Sequence, residues 1–493
     1  MDQPVKIAAV LFAWLAYIGS SAQALYVASN QTLTVAAGTN LYVDNNLTNN
    51  GTVDLKASQG SHAQLLLTGT YSGTGTLTQE QYLASGWHLI ASPVSNGFNA
   101  TSNGSTSALY AFNTDAAGGN PSYTPWSTSY NETNRGYYAR AGSSGNFLTA
   151  AGVVSVGGTA NTSSASRVLN QTAAVTSNGS ANGSGLGWHL IGNPYTCSVD
   201  WFTWRNGLSS INAAMYRWDP TLGGGTGGYV TTTPVSSGTA LIAPLQGFWV
   251  QVSDPNGATL PATTMAAHGT LGASTFYKQL PPRMELNLKS LDDSTRSDKL
   301  VLADVAGASL AFEGETDAWK LRNGPGMPNL MARDDATGQE TSINALDLGS
   351  PGAIPVNFRG GSFGEKWTIS VGGDWEGDAV LEDRLLASFN DLRNSPYTFI
   401  HREWSLDESR FRLHFVPTAS LGNGGEAAGD ALVAYASGEW LVVHRAQSCA
   451  LYALDGRLMA ESAGDSAVQL FPRPSAGLYV ITCGTQRVKL VVP

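Results

Sequence analysis

Gly86-Trp-His-Leu-Ile-Ala-Ser-Pro93 is repeated with two changes as Gly187-Trp-His-Leu-Ile-Gly-Asn-Pro194. Both stretches are rich in aromatic and β-branched residues, which favour strands. Two further pairs of motifs follow in the same order: Leu109-Tyr-Ala-Phe-Asn113 with Met215-Tyr-Arg-Trp-Asp219, and Arg135-Gly-Tyr-Tyr-Ala139 with Gln246-Gly-Phe-Trp-Val250. We therefore predict tandem copies of a β-sandwich-like module, at residues 86–175 and 176–265, in an all-β protein.

The histidines of the repeated motif need separate consideration. In an extended strand, Trp87 and Leu89 point to one face and His88 points to the other, and we assign the Trp–Leu face to the core. The recurrence of His88 as His189 could indicate a metal site, but the neighbouring residues are Trp, Leu and Ile rather than further ligands. We expect each histidine to hydrogen-bond a neighbouring loop.

The composition limits the classes of function. Charged residues make up 13% of the 493 residues, and the net charge is −10. Nucleic acid is not expected as a partner, because neutralising phosphates needs clustered Lys and Arg. Thirteen Trp residues require a packed interior and argue against disorder. Between Leu25 and Tyr277 the Lys and Arg side chains are Lys56, Arg135, Arg140, Arg167, Arg205 and Arg217.

The N-terminal region has two parts. Residues 1–24 resemble a cleavable signal peptide, with Lys6, the apolar run Ile7–Ile18 and the small-x-small site Ala22-Gln-Ala24. We expect no membrane span in the mature chain, because a span needs about 20 apolar residues. Residues 25–85 carry short apolar runs about every ten residues, which predict either a β-meander or a few rungs of a β-solenoid. So few rungs would need a cap from the next domain.

A linker at residues 266–283 precedes a more charged segment, residues 284–417, in which apolar and polar residues alternate. This alternation predicts a further β-sandwich. Its acidic residues could bind Ca²⁺, although no regular calcium-loop spacing is present and solvated loop charge is the favoured interpretation. The two acidic clusters are Asp292, Asp293, Asp298 and Asp304, and Glu313, Glu315 and Asp317.

We identify no catalytic, cofactor-binding or metal-binding motif in the sequence, and we expect a protein that is not an enzyme. A hydrolase built from dispersed carboxylates, such as Asp374, Glu376 and Asp378, is the less favoured alternative. A second alternative is carbohydrate binding through loop aromatics, with Trp126 and Tyr130 as the candidate glycan-binding residues. Tyr123 in the first copy and Tyr229 in the second are further aromatics of these loops.

The last segment, residues 431–493, is a predicted small β-sandwich. Cys449-Ala-Leu-Tyr-Ala-Leu-Asp-Gly-Arg457, Gly477-Leu-Tyr-Val480 and Lys489-Leu-Val-Val492 resemble the C-terminal sorting domain of the type IX secretion system of the Bacteroidetes. Where members of that family often carry Tyr-Pro-Asn-Pro, this chain has Tyr435-Ala-Ser-Gly438. In this segment Cys449 and Cys483 could form a disulfide, or all three cysteines of the chain, Cys197 included, could be small buried hydrophobes.

The resemblance implies the role of this segment. It would act as an export address, with Gly477, Leu478, Tyr479, Val480, Lys489, Leu490, Val491 and Val492 as the sorting signal. The implied partners are the type IX machinery and a surface lipopolysaccharide or glycan. The implied location is extracellular or the outer-membrane surface, after transit through the periplasm. Together with the predicted domains, this favours an adhesin-like or scaffold protein.

Overall fold

The structure is a computed structural model, and it describes residues 24–95, 98, 105, 108–113, 122–125, 133–171, 187–271, 280–350, 352–386, 388–401, 410–417, 433–437, 440–444, 448–453, 456–462, 468–475, 477–484 and 486–492. The predicted all-β class is confirmed: strands dominate, and the helices of the described residues are three of four residues each. None of the described helices is long and apolar enough to cross a membrane. The described residues divide into two compact units, at 24–271 and 280–492.

A short parallel β-solenoid opens the first unit. Three stacks of parallel strands form its sides: β1-β4-β9, β2-β5-β10 and β3-β8. Of the two predicted alternatives, the solenoid is therefore confirmed. The strands are β1 (Leu25–Val27), β2 (Thr32–Val35), β3 (Asn40–Val43), β4 (Leu47–Asn49), β5 (Thr52–Leu55), β6 (Ala57–Ser58), β7 (Ser61–His62), β8 (Gln64–Leu67), β9 (Tyr71–Ser72) and β10 (Thr76–Leu83).

Asparagine side chains connect successive rungs of the solenoid. The Oδ1 atom of Asn46 accepts a hydrogen bond from the backbone N–H of Thr70, at 2.8 Å, and that of Asn50 accepts one from Thr74, at 3.2 Å. These bonds satisfy backbone donors at the corners, where the strand ladder ends. The solenoid is capped by the repeats, as predicted. The backbone N–H of Leu65 in β8 donates to the carbonyl of Thr196 in the second repeat, and β10 of the last rung pairs with a strand of the first repeat, Gly152–Gly158.

The two repeated modules have the same strand order, so the predicted duplication is confirmed. The first sheet runs β11-β14-β12-β13 and the second β18-β23-β20-β21. These elements are β11 (Gly86–Ala91), β12 (Leu109–Asn113), β13 (Ser122–Pro125), β14 (Gly136–Ala141), β15 (Gly152–Gly158), β16 (Ser163–Ser164), β17 (Arg167–Leu169), β18 (Trp188–Gly192), β19 (Ser198–Asp200), α1 (Trp201–Trp204), β20 (Met215–Asp219), α2 (Leu222–Gly225), β21 (Gly228–Thr232), β22 (Leu241–Ile242), β23 (Gly247–Gln251), β24 (Ala258–Leu260), β25 (Thr263–Thr264), α3 (Met265–His268) and β26 (Gly269–Thr270).

The sheets of the two copies do not form separate cores. One hydrophobic core contains Leu77 from the solenoid, Ile90 and Tyr137 from the first copy, and Ile191 and Phe248 from the second. Because the solenoid and the two small sheets share one core, each of them buries more apolar surface than it would alone. The predicted segments 25–85, 86–175 and 176–265 are thus parts of one packed unit.

The two copies contact each other reciprocally. The N–H of Ala91 donates to the carbonyl of Leu245, and the N–H of Gly192 donates to the carbonyl of Asn134, at 3.0 and 3.1 Å. Ala91 and Gly192 are equivalent positions of the repeat, as are Asn134 and Leu245. Residue i of one copy therefore meets residue j of the other, and j meets i, which is the pattern of an isologous interface.

This junction depends on glycine at position 192. A Cβ added to Gly192 would lie 2.1 Å from the Cβ of Ala91. We predict that Gly192→Ala lowers the free energy of unfolding of the first unit by about 1–3 kcal/mol, because the two strands must move apart. Gly152→Ala is the control, since a Cβ there meets nothing within 4 Å. Equal effects of the two substitutions in chemical denaturation would contradict the close junction.

The prediction that Trp87 lies in the core is wrong. Trp87 is 39% exposed, whereas Leu89 and Ile90 are buried. The reason is that Ile90 faces the shared core, and Trp87, near the start of β11, lies on the other face against Tyr138 at a centroid distance of 5.3 Å. Alternation along the strand predicts two faces and does not show which of them packs into the shared core.

The prediction for the two histidines is confirmed. The Nε2 atom of His88 hydrogen-bonds the carbonyl of Ala84 at 2.7 Å, and that of His189 hydrogen-bonds the carbonyl of Asn170 at 2.8 Å. Each carbonyl directly follows the strand that precedes its copy of the repeat. Burial lowers the pKa of His189 to about 3, so that its imidazole is neutral.

In the second unit, residues 283–417 form one nearly closed, barrel-like sheet. Its order is β35-β34-β37-β32-β30-β31-β28-β27-β33-β36, and β29 pairs with β31. Tyr397 of β36 donates to the Oδ2 atom of Asp383 in β34 at 2.8 Å and so connects the two sides of the opening. The strands are β27 (Arg283–Ser290), β28 (Ser297–Asp304), β29 (Ala318–Trp319), β30 (Asn329–Arg333), β31 (Glu340–Leu346), β32 (Gly352–Arg359), β33 (Lys366–Gly373), β34 (Gly377–Asp383), β35 (Ser388–Asp391), β36 (Tyr397–Ile400) and β37 (Phe411–Pro417).

The C-terminal module consists of two small sheets around a common core. The first has the order β38-β39-β42 and the second β41-β40-β43-β44. A disulfide joins Cys449 and Cys483, and Cys197 in the first unit is free and buried. The strands are β38 (Val433–Ser437), β39 (Trp440–His444), β40 (Cys449–Ala453), β41 (Leu458–Glu461), β42 (Val468–Pro472), β43 (Gly477–Cys483) and β44 (Gln486–Val492).

Candidate functional site

The eight residues of the predicted sorting signal lie together on the terminal hairpin of β43 and β44. The two motifs, which are separated in sequence, pair residue for residue. The pairs are Gly477 with Val492, Leu478 with Val491, Tyr479 with Leu490, and Val480 with Lys489. We call these eight residues the terminal hairpin motif.

The terminal hairpin motif is fixed to the module on one side. Tyr479 is 7% exposed, and its hydroxyl donates to the carbonyl of Ser475 at 2.8 Å. Cys483, in the same strand, is disulfide-bonded to Cys449 directly opposite it in β40. Leu490 and Val492 of β44 are also buried in the core of the module. The two motifs therefore form one paired hairpin that is anchored in the core of the module.

A second candidate lies on the sheet of the first repeat. Trp87, Tyr123 and Tyr138 form a row of aromatic rings, with centroid distances of 5.3 Å for Trp87–Tyr138 and 4.9 Å for Tyr123–Tyr138. Tyr123 is 41% exposed, and the guanidinium of Arg140 lies 5.7 Å from the ring centroid of Trp87. We call Trp87, Tyr123 and Tyr138 the aromatic face. The predicted glycan-binding residues Trp126 and Tyr130 lie outside the described residues.

The aromatic face continues into the second repeat. Phe112 contacts Tyr123 and also packs edge-on against Trp249, with a centroid distance of 4.7 Å. Burial raises the pKa of the Tyr229 hydroxyl well above its ordinary value. The sequence suggested that Tyr123 and Tyr229 lie on loops, but the structure places them in strands β13 and β21. Tyr123 is accessible, whereas Tyr229 belongs to the packed junction. The exposure of Trp87 was missed, and no signal in the sequence distinguishes it from Trp188.

The acidic residues that were considered as possible calcium ligands each have a different partner. Asp298 pairs with Lys320, Asp304 accepts from the N–H of Leu348 at 3.0 Å, and Asp293 caps the turn at Thr295. Within the described part of the chain, no three His, Cys, Asp or Glu side chains come together in a way that could hold a metal ion. Asp298, Asp304 and Asp293 therefore act in an ion pair and in backbone hydrogen bonds within the fold.

Asp374, Glu376 and Asp378 line a shallow, open depression at the turn between β33 and β34. All three are exposed, and the Oδ1 atom of Asp374 accepts a hydrogen bond from the N–H of Arg283 at 2.8 Å. Arg393 crosses the same turn and donates to the carbonyl of Trp375. The three acids follow one turn, whereas glycoside hydrolysis needs a pair on opposite sides of a substrate.

Among the described acids of the second unit, Asp317 has the most strongly raised pKa. It is fully buried and accepts from the N–H of Ala345 at 2.7 Å, the N–H of Glu313 at 2.9 Å and the side chain of Asn344 at 3.0 Å. Burial raises the pKa of its carboxyl to about 7, and the hydrogen bonds oppose that rise. Because these bonds hold the segment before β29 against β31, the ionisation of Asp317 is linked to stability.

We predict that stability of the second unit falls between about pH 4 and about pH 7. Over this range the folded protein keeps a proton on Asp317 that the unfolded chain, with its lower pKa, has released, so raising the pH favours unfolding. Asp317→Asn should flatten this part of the pH profile, although the substitution also lowers stability at every pH. Chemical denaturation across the pH range measures both effects. Parallel profiles for the wild type and the variant would contradict the prediction.

Comparison with known proteins adds one match. A family model described as a domain of unknown function (DUF8693) matches residues 13–223, which include the solenoid, the first repeat and the second repeat as far as α2. No curated protein and no solved structure matches the chain. The match covers the aromatic face and stops short of the terminal hairpin motif.

Proposed function

We propose that this chain is an exported, non-catalytic adhesin-like or scaffold protein, and that residues 431–493 are its export address. The observation that carries the proposal is the terminal hairpin motif, because the residues that resemble a type IX sorting signal form one paired hairpin. The disulfide that joins this hairpin to β40 also supports export, since such bonds persist mainly in oxidising compartments. The protein would act at the cell surface or outside the cell.

A transfer experiment tests the address by itself. Residues 431–493 are fused to a reporter that carries its own signal peptide and normally stays in the periplasm, in a bacterium with a type IX system. We expect the reporter outside the cell. The control fusion ends at residue 485 and so lacks β44, and it should stay in the periplasm. Retention of the complete fusion would contradict the proposal.

Carbohydrate binding is the second candidate, and the aromatic face favours it. Trp87 and Tyr123 expose 39% and 41% of their surfaces on one sheet face. Exposed aromatic rings offer sugar rings a flat apolar surface, and Arg140 beside Trp87 could hydrogen-bond hydroxyl groups. Tyr138 contacts both rings from the same sheet and would hold them in place.

A glycan array with the purified chain tests this candidate. Trp87→Ala and Tyr123→Ala should each weaken binding to any glycan found by about tenfold. Tyr26→Ala is the matched control, because Tyr26 is an exposed tyrosine of the solenoid and lies outside the aromatic face. No binding by the wild type, or equal binding by all three variants, would eliminate this candidate.

A further inference from the structure

Exposed apolar side chains are concentrated at one end of the barrel-like sheet. Among the described residues of 283–417, the large hydrophobic side chains that are at least a third exposed are Leu291, Phe363, Leu385, Leu386 and Ile400, with exposures of 54, 61, 43, 55 and 36%. We call these five residues the apolar end. Scattered single hydrophobic residues are ordinary on a protein surface, but a group of them at one location marks an interaction site.

Backbone contacts place three of these residues at the same end. The N–H of Leu291 donates to the carbonyl of Lys366 at 2.8 Å, and Lys366 is paired with Ile400 between β33 and β36. The N–H of Gly364, which follows Phe363, donates to the carbonyl of His401, which follows Ile400, at 2.7 Å. Leu291 and Phe363 therefore lie on turns next to the end of β36, where Ile400 is the last residue.

The remaining two residues join the same group through Arg410. The guanidinium of Arg410 donates to the carbonyl of Ile400 at 3.3 Å, and the carbonyl of Arg410 accepts from the N–H of Arg384 at 2.8 Å. Leu385 and Leu386 follow Arg384 directly. All five apolar side chains thus lie at the end of the barrel where β27, β34 and β36 finish.

The turns at this end have their backbone donors satisfied from within the protein. The Oδ1 atom of Asp383 accepts from the N–H groups of Leu385 and Leu386, at 3.0 and 3.3 Å. The hydroxyl of Ser290 accepts from the N–H of Asp292, and Glu365 accepts from that of Ser362. An unpaired N–H is costly in an environment without water. Turns whose N–H groups are paired within the protein are therefore suited to entering such an environment.

The charges at the same end largely neutralise each other. Arg410 binds Asp383, and Arg296 binds Glu365, both at 2.8 Å. Outside these pairs, the exposed charges among the described residues beside the apolar end are Asp292, Asp293, Lys366 and Arg384, two of each sign. A surface of one sign would suit an anionic membrane, whereas this mixture matches the positive and negative groups of zwitterionic headgroups.

We propose that the apolar end inserts into the surface layer of a zwitterionic phospholipid membrane. Leu291 and Phe363 lie on two different turns, Leu385 and Leu386 share a third, and Ile400 ends β36. A fluid lipid layer can adapt to such a divided set of side chains. The capped N–H groups and the paired charges lower the cost of leaving water. The occupant is therefore a lipid surface of zwitterionic headgroups, and this inference does not depend on the export address.

Co-sedimentation of the full chain with phosphatidylcholine vesicles tests this inference. We expect the wild type to sediment with the vesicles and the double variant Phe363→Ser, Leu386→Ser to bind at least about tenfold more weakly. Val168→Ser, which removes an apolar side chain that is 66% exposed in the first unit, should leave binding unchanged. Thermal unfolding of each variant confirms that it is folded.

Three outcomes would overturn the inference. The wild type could remain in the supernatant with phosphatidylcholine vesicles. The double variant could sediment as well as the wild type, in which case another surface binds the lipid. Binding to phosphatidylglycerol vesicles alone would show that attraction to negative charge, rather than insertion of apolar side chains, brings the protein to the membrane.

Discussion

Replacing Arg410 by Met should lower the free energy of unfolding of the second unit by about 3–5 kcal/mol, because it leaves the carboxylate of Asp383 buried without its counter-charge. Asp383 is fully buried, and its Oδ2 atom accepts from Nη2 of Arg410 at 2.8 Å and from the hydroxyl of Tyr397 at 2.8 Å. Arg410 also packs against the rings of Phe399 and Phe411. The pair therefore holds together the two sides of the barrel opening.

A matched control distinguishes burial from charge. Lys299 and Glu285 also form an ion pair, at 3.2 Å, but the side chain of Lys299 is 47% exposed. Lys299→Met should therefore cost no more than about 1 kcal/mol. The double variant Arg410→Met, Asp383→Leu should recover part of the loss, since it removes both charges. A loss for Arg410→Met as small as that for Lys299→Met would show that Asp383 is reached by water.

Removing the disulfide is the second change with a large expected effect. The double variant Cys449→Ala, Cys483→Ala should destabilise the C-terminal module by about 3–4 kcal/mol, because the bond closes a loop with a sequence separation of 34 residues. The bond joins β40 to β43 and so supports the strand that carries half of the terminal hairpin motif. Limited proteolysis and chemical denaturation measure the loss.

The reduced wild type is the control for this prediction. A reductant should bring the module close to the stability of the double variant and should leave the variant itself unchanged. Cys197→Ala provides a further comparison, since Cys197 is a free cysteine in the first unit. If the reductant destabilises the double variant as much as the wild type, its effect does not act through this bond.

The sequence was most informative where local patterns repeat. The three motif pairs predicted the duplication, and both copies have the same strand order because each copy carries the same alternating strands. The ten-residue spacing of the apolar runs indicated either a solenoid or a meander, and the structure shows the solenoid. In each case the signal and the structure are local, so that short-range turn and strand preferences are sufficient.

The sequence was least informative about long-range packing. Trp87 was assigned to the core, since alternation does not show which face is covered. The five residues of the apolar end are up to 109 positions apart, from Leu291 to Ile400, and none of them belongs to a motif. Asp374, Glu376 and Asp378 were named as an example for the less favoured hydrolase, and the structure places them along a single turn. These long-range neighbours are visible only in the three-dimensional structure.

Cell fractionation of a truncated chain tests the proposed function most directly. The full chain and a version that ends at residue 430 are produced in a bacterium with a type IX secretion system, and their amounts in the periplasm, at the cell surface and in the medium are compared. The proposal predicts that the full chain reaches the surface or the medium and that the truncated chain stays in the periplasm. Equal amounts of the two chains outside the cell would contradict it.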